Sequence, residues 1–95
     1  MELGKVAGQV VATARARDLP HNSLLLVDLL DKNGEPTGER HVAIDPIGAG
    51  EGEWVILSRG SSARYALNPN APVDLAVVGI VDQVSSRAGA LYSKS

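Results

Sequence analysis

From Lys5 to Arg17 the chain reads KVAGQVVATARAR, with Val6, Val10, Ala12 and Ala14 on one parity and Ala7, Gln9, Val11, Thr13, Arg15 and Arg17 on the other. That period of two, with Gly8 and β-branched residues inside it, predicts a strand with one dry face. Asp18-Leu19-Pro20-His21-Asn22 predicts a loop, because Pro20 fixes its own φ and drives Leu19 to extended geometry. Ser23 to Asp31, SLLLVDLLD, is a nearly unbroken apolar run, the pattern of a strand covered on both faces. The Asn33-Gly34 pair after it is a hairpin signal, since both residues accept positive φ. Alternation resumes from Arg40 to Asp45, with Val42 and Ile44 on one face, and Pro46 closes that strand. A glycine-rich stretch, Gly48-Ala49-Gly50-Glu51-Gly52, leads into a fourth strand from Glu53 to Ser58.

Beyond it, Ser61 or Ser62 caps a short helix-favouring stretch up to Leu67, which Asn68-Pro69-Asn70-Ala71-Pro72 ends. Val73 to Val84, VDLAVVGIVDQV, predicts a fifth strand with a bulge or bend at Gly79. Ser85 to Gly89 predicts a turn, with a short edge strand at Leu91-Tyr92. Five short strands, one small helix and closely spaced turns predict an all-β protein, a small five-stranded OB-like β-barrel, with an open sandwich as the alternative.

Ninety-five residues allow one compact domain, 1–95, with a small core. With no cysteine there is no disulfide, thiolate metal site or Cys nucleophile. A chain this small without such staples has little stability to spare, and association with copies of itself would supply more. No apolar run is long enough to span a bilayer, and MELGKVAG lacks the apolar stretch of a signal peptide, so the expectation is a cytoplasmic protein without a membrane partner. Nine Lys and Arg against eleven Asp and Glu give a net charge of −2, no broad field for nucleic acid.

Several residue groups invite a chemical reading. The glycine-rich loop lacks the Gly-Lys-Ser/Thr end of a phosphate loop, and Glu51 and Glu53 stand where phosphate would sit. Glycines there serve backbone geometry and close approach, including approach to another subunit. Ser61 or Ser62 with His21 or His41 and Asp45 supply the residue types of a hydrolase triad, but neither Ser lies in a Gly-x-Ser-x-Gly elbow. A two-histidine metal site of His21 and His41 with Asp45 is unsupported, since no HxH or HExxH spacing exists, so no metal and no cofactor is expected. A single-strand-binding module would need a basic groove with stacking aromatics, whereas this chain has only Trp54, Tyr65 and Tyr92. Trp54 reads instead as a core or interface anchor. Asp28, Asp45, Asp74 and Asp82 sit on or beside strands and need solvent or a partner. One such pairing is an intersubunit ion pair between Arg64 and Asp45 or Asp74.

The string Val42-Ala43-Ile44-Asp45-Pro46-Ile47-Gly48-Ala49-Gly50-Glu51-Gly52-Glu53-Trp54-Val55 resembles the signature of the bacterial microcompartment vertex proteins, the ethanolamine-utilisation and carboxysome pentamer family. Three further stretches agree in order and spacing: Gly8 to Thr13, Gly60-Ser61-Ser62-Ala63-Arg64, and Pro72-Val73-Asp74 followed by Val78 to Asp82. The resemblance covers about residues 1 to 84, and the tail from Ser85 departs from it. It implies an OB-like barrel that assembles as a homopentamer, with a hexamer as the other ring to consider. Such a ring caps the corners of a polyhedral protein shell whose facets are hexagonal shell proteins, and it catalyses nothing. By position, Asp45, Gly48, Ala49, Gly50, Gly52 and Glu53 become candidates for a subunit contact or an axial loop. Gly60, Ser61, Ser62, Arg64 and Asp74 become candidates for a second contact motif. The alternative from the residues alone is an OB-type module for single-stranded nucleic acid or a small ligand.

Overall fold

The computed structural model describes residues 1–17, 19, 22–60 and 74–94. Its strands are β1 (Glu2–Val10), β2 (Ser23–Leu30), β3 (Pro36–Asp45), β4 (Trp54–Arg59), β5 (Leu75–Ile80), β6 (Gln83–Ser86) and β7 (Gly89–Ser93). The first five close into a barrel in the order β1-β2-β3-β5-β4, and β6 and β7 form a separate two-stranded ribbon. Every barrel neighbour is antiparallel except β3 and β5, which run parallel through the single pair Ile44 and Ala76. The expected five-stranded OB-like barrel is therefore the fold. The short helix expected after Ser61 lies outside the described residues.

β2 shows why an unbroken apolar run makes a strand here. Leu25, Val27 and Leu29 point into the barrel, where they meet Val6, Ala43, Val55, Leu57, Leu75 and Val77. Leu24 is buried on the outside with Ile44 and Ala76, and Leu30 with Trp54 and Val81. Both faces are thus covered at the two ends of the strand.

Strand boundaries differ from the sequence reading, most of all at the end of β1 and the start of β3. β1 stops at Val10, which pairs with Leu24. β2 begins only one residue earlier, at Ser23, so the alternation from Val11 to Arg17 has no strand left to pair with. That segment instead crosses the outside of the barrel, where Ala12 and Leu19 lie against Leu24, Ile44 and Ala76. Arg15 holds it there by donating to the carbonyls of Ala12 (2.9 Å) and Asn22 (2.7 Å). β3 starts at Pro36 rather than Arg40, because Leu30 pairs with Pro36 across the hairpin; the register then shifts, and regular pairing with β2 resumes at Arg40 opposite Asp28.

The expected fifth strand from Val73 to Val84 is divided. β5 ends at Ile80, and Val84 belongs to the ribbon. The bulge falls at Val78: Leu57 pairs with Val77 and Ile56 with Gly79, leaving Val78 as the extra residue. The expected edge strand at Leu91-Tyr92 is part of β7, and its partner β6 was read as the end of β5 and a turn.

Candidate functional site

The glycine-rich loop runs from the end of β3 to the start of β4, and its shape is set by two carboxylates. Asp45 is 4% exposed, and its Oδ1 accepts the N–H groups of Ile47 (3.1 Å) and Gly48 (3.0 Å) while Oδ2 accepts that of Ala49 (2.8 Å). Asp-Pro at a strand end, followed by a small-residue run, is the pattern of such a side-chain-capped turn. Both oxygens of Asp45 are therefore already engaged within the chain. Ala49 packs against the main core.

The second half of the loop turns on Glu53. Its Oε1 accepts the Gly50 N–H at 2.6 Å, and its Oε2 lies 2.6 Å from the Lys94 ammonium at the end of the ribbon. The Lys94 hydrogen bond, and after it the Gly50 N–H, hold the Glu53 carboxyl below the usual carboxylate range, while Glu53 raises Lys94 in turn. Backbone bonds from Gly52 N–H to the Val6 carbonyl and from Val6 N–H to the Glu53 carbonyl, each 2.9 Å, dock the loop on β1.

Gly48 (φ +103°) and Gly52 (φ +86°) occupy the left-handed region that other residues resist, whereas Gly50 does not. The backbone requirement read into the loop thus belongs to its two flanking glycines. Beside the loop lies a cleft of about 270 Å³ whose walls include Val6, Gln9, Ser23, Leu25 and Asp45.

Gly60 and Asp74, the two described residues bounding 61–73, meet through the Gly60 N–H and the Asp74 carbonyl at 2.9 Å. Ser61, Ser62 and Arg64 lie outside the described residues, as does His21 of the triad reading. His41 pairs across the sheet with Val27 and stands 3.9 Å from Glu39, and the carboxylate that a triad would need from Asp45 serves the loop. Among the described residues no group of three or more His, Asp or Glu side chains is placed to hold a metal ion.

Trp54 is buried, and its ring stacks on Tyr92 with centroids 4.4 Å apart and planes 14° from parallel. It is a core anchor that ties the ribbon to the barrel rather than an open platform for a base. Sequence reading missed this stack and the Glu53–Lys94 pair, since nothing local marks Tyr92 or Lys94 as the partner of a residue about forty positions away. Some apolar surface remains open, notably Val42 at 48% and Ile47 at 50% exposure.

The geometry defines a class: a small closed β-barrel that carries, between β3 and β4, a loop shaped by hydrogen bonds from its backbone to the Asp45 and Glu53 carboxylates. A family model, that of the ethanolamine utilisation protein EutN/carboxysome family, matches residues 1–82, and the chain belongs to that family. It is 50% identical over 95 residues to the bacterial microcompartment shell vertex protein EutN of Escherichia coli strain K12, covering 99% of this chain and 100% of that one. A solved structure of an ethanolamine utilization protein, EutN, superposes with a TM-score of 0.94 at 50% identity, covering 100% of both chains. The GrpN pentameric microcompartment shell protein from Rhodospirillum rubrum superposes with a TM-score of 0.82 at 46% identity, covering 90% of this chain and 99% of that one. The likeness to EutN runs into the tail, which the sequence reading had set apart from Ser85 onward.

Proposed function

We propose that this chain is a structural shell protein that forms homopentamers and caps the five-fold vertices of a bacterial microcompartment in the cytoplasm. The observation that carries this reading is likeness along the whole length to a protein named as a shell vertex protein, with the same barrel in a shell protein described as pentameric. Physics gives the assignment its logic. A ring of identical heterologous contacts closes when its rotation divides the circle, and a flat hexagonal layer closes into a polyhedron only where five-fold units replace six-fold ones. The activity is then a matter of shape, with no reaction, cofactor or nucleic acid involved, and its partners are hexagonal facet proteins of the same shell.

Native mass spectrometry tests the ring. A species at about five times 9.9 kDa supports it, and a persistent monomer at micromolar concentration overturns it. Co-expression with a hexagonal facet protein tests the vertex role: closed polyhedra should form with this chain, and open sheets or tubes without it. Equal closure in both cases would refute the role while leaving the ring intact.

A further inference from the structure

The two halves of the glycine-rich loop are fastened to different parts of the protein. Asp45, at the end of β3, holds the first half through three N–H groups. The second half depends on Glu53, whose two oxygens are divided between the Gly50 N–H and the Lys94 ammonium. Lys94 follows β7, and its own N–H bonds the Asp82 carbonyl at 2.8 Å, so both ends of the ribbon are tied together where the salt bridge forms.

A two-stranded ribbon of four and five residues is marginal by itself and needs a surface to lie on. Here that surface is supplied by the Trp54–Tyr92 stack and by Val84 and Tyr92 packed against the Leu30, Trp54 and Val81 cluster. Loop and ribbon therefore share residues 53 and 54 as their foothold. Charges facing Lys94 are Glu53 and, further off, Asp82.

We infer that the C-terminal ribbon is a strap for the glycine-rich loop: by seating Lys94 on Glu53 it fixes the carboxylate that holds Gly50, so that tail and loop loosen together. This coupling rests on contacts within one chain and stands independently of the vertex reading. If that reading is right, the tail tunes the shape of a loop the ring exposes or packs.

Site-resolved amide exchange on the full-length protein tests it. Lys94→Met keeps the apolar stem and removes the charge. Gly50 N–H exchange should then rise about 2- to 5-fold, the scale of one exposed ion pair, together with the ribbon amides. Lys94→Arg should restore the wild-type rate. Arg40→Met, which breaks the exposed pair with Asp28, should leave Gly50 unchanged. Rates are read against the buried Val55 amide, so that any global loss of stability is divided out.

An unchanged Gly50 rate in Lys94→Met overturns the strap, whether or not the ribbon itself loosens, and so does failure of Lys94→Arg to restore it. Should Lys94→Met fold poorly, Glu53→Gln gives the same readout from the other side. Its amide oxygen can still accept the Gly50 N–H but no longer carries the charge that seats Lys94, so Gly50 and the ribbon amides should accelerate together, and acceleration of only one of them refutes the coupling. Native mass measured on the same samples reports on the ring separately, since a five-fold species with unaltered Gly50 exchange sinks the strap alone.

Discussion

Asp45 offers the sharpest test of how the loop is built. Asp45→Ala removes all three acceptors of the Ile47, Gly48 and Ala49 N–H groups at once. Ile47 and Gly48 are exposed, so water replaces the carboxylate there and each loss amounts to about 1 kcal/mol. Ala49 is half-buried on the main core, where an unsatisfied donor costs more, about 1–3 kcal/mol. The sum is a destabilisation of about 3–5 kcal/mol, its lower end applying if the loop relaxes. Asp45→Asn keeps one oxygen for two of the donors and sets an amide N–H₂ against the third, so about 1–2 kcal/mol is expected. Urea unfolding at one fixed protomer concentration measures both, because assembly would otherwise mix concentration into stability. Amide exchange assigns the loss: Gly48 and Ala49 should accelerate, while Gly52, whose N–H goes to the Val6 carbonyl, should change only with global stability. Loss of less than about 0.5 kcal/mol in Asp45→Ala, the scale of a neutral surface change, would refute the reasoning. So would unaltered Ala49 exchange.

Gly52→Ala should cost about 1–2 kcal/mol from φ strain alone, since its φ is +86° and no atom lies within 4 Å of the added carbon. Gly50→Ala should cost less, below about 1 kcal/mol, because its φ is not left-handed and the added carbon need only push Glu53 Oε1, 3.2 Å away and held by the Gly50 N–H, by a few tenths of an ångström; thermal melts that rank the two the other way would count against the loop geometry. Trp54→Ala should cost about 3–5 kcal/mol, and Tyr92→Leu should alter the near-UV circular dichroism of Trp54, the single tryptophan; an unaltered Trp54 band in Tyr92→Leu would show the stack is not formed. In the Glu53–Lys94 pair, Glu53 lies below its ordinary 4.5, so its stabilisation is complete above that value and is lost as pH falls through the lowered one. Lys94 lies above its ordinary 10.5, so its share is complete below that value and is lost as pH rises through the raised one. Loop protection should therefore be flat across neutral pH, and a Glu53 carboxyl titration by NMR with its midpoint at or above 4.5 would contradict the pairing.

What the chain made legible was whatever depends on neighbours in sequence. The doubly apolar run of β2 and the presence of a turn at Asn33-Gly34 needed no tertiary knowledge, but only Gly34 takes a positive φ (+80°): Asn33 does not, and the turn closes through the Gly34 N–H to the Asp31 carbonyl and the Asp31 N–H to the Glu35 carbonyl. Yet Gly34 has a second reason to be glycine that no local rule gives: an added Cβ would stand 2.6 Å from Cη2 of Trp54. The end of β1 was illegible for the same kind of reason. Val11, Ala12 and the residues after them keep strand-like alternation, and only the start of β2 at Ser23 decides that they go unpaired. At the site, the Asp-Pro followed by Ile-Gly-Ala contained enough to assign Asp45 to its own loop. How deeply Asp45 is buried, by contrast, is set by the barrel around it and not by any local pattern.

The departure of the chain after Val10 also explains how so small a barrel stays shut. β3 and β5 meet through one pair, Ile44 and Ala76, so backbone hydrogen bonds contribute least at that seam. Ile44 and Ala76 are nonetheless almost wholly buried, at 1% and 0% exposure. Their cover on the outside is Leu24 with Val10, Ala12 and Leu19; of these, Ala12 belongs to the alternating stretch that a longer β1 would have carried along the sheet, and Leu19 follows that stretch. Had β1 continued to Arg17, as its alternation suggests, it would have presented an unpaired edge beyond the end of β2 and left the seam open. Ending the strand at Val10 exchanges backbone pairing that no partner could supply for apolar burial where the barrel is weakest. Arg15, on the opposite parity, fits the same account: it clips the crossing segment to the Ala12 and Asn22 carbonyls, a role for a side chain leaving a sheet rather than lying in one.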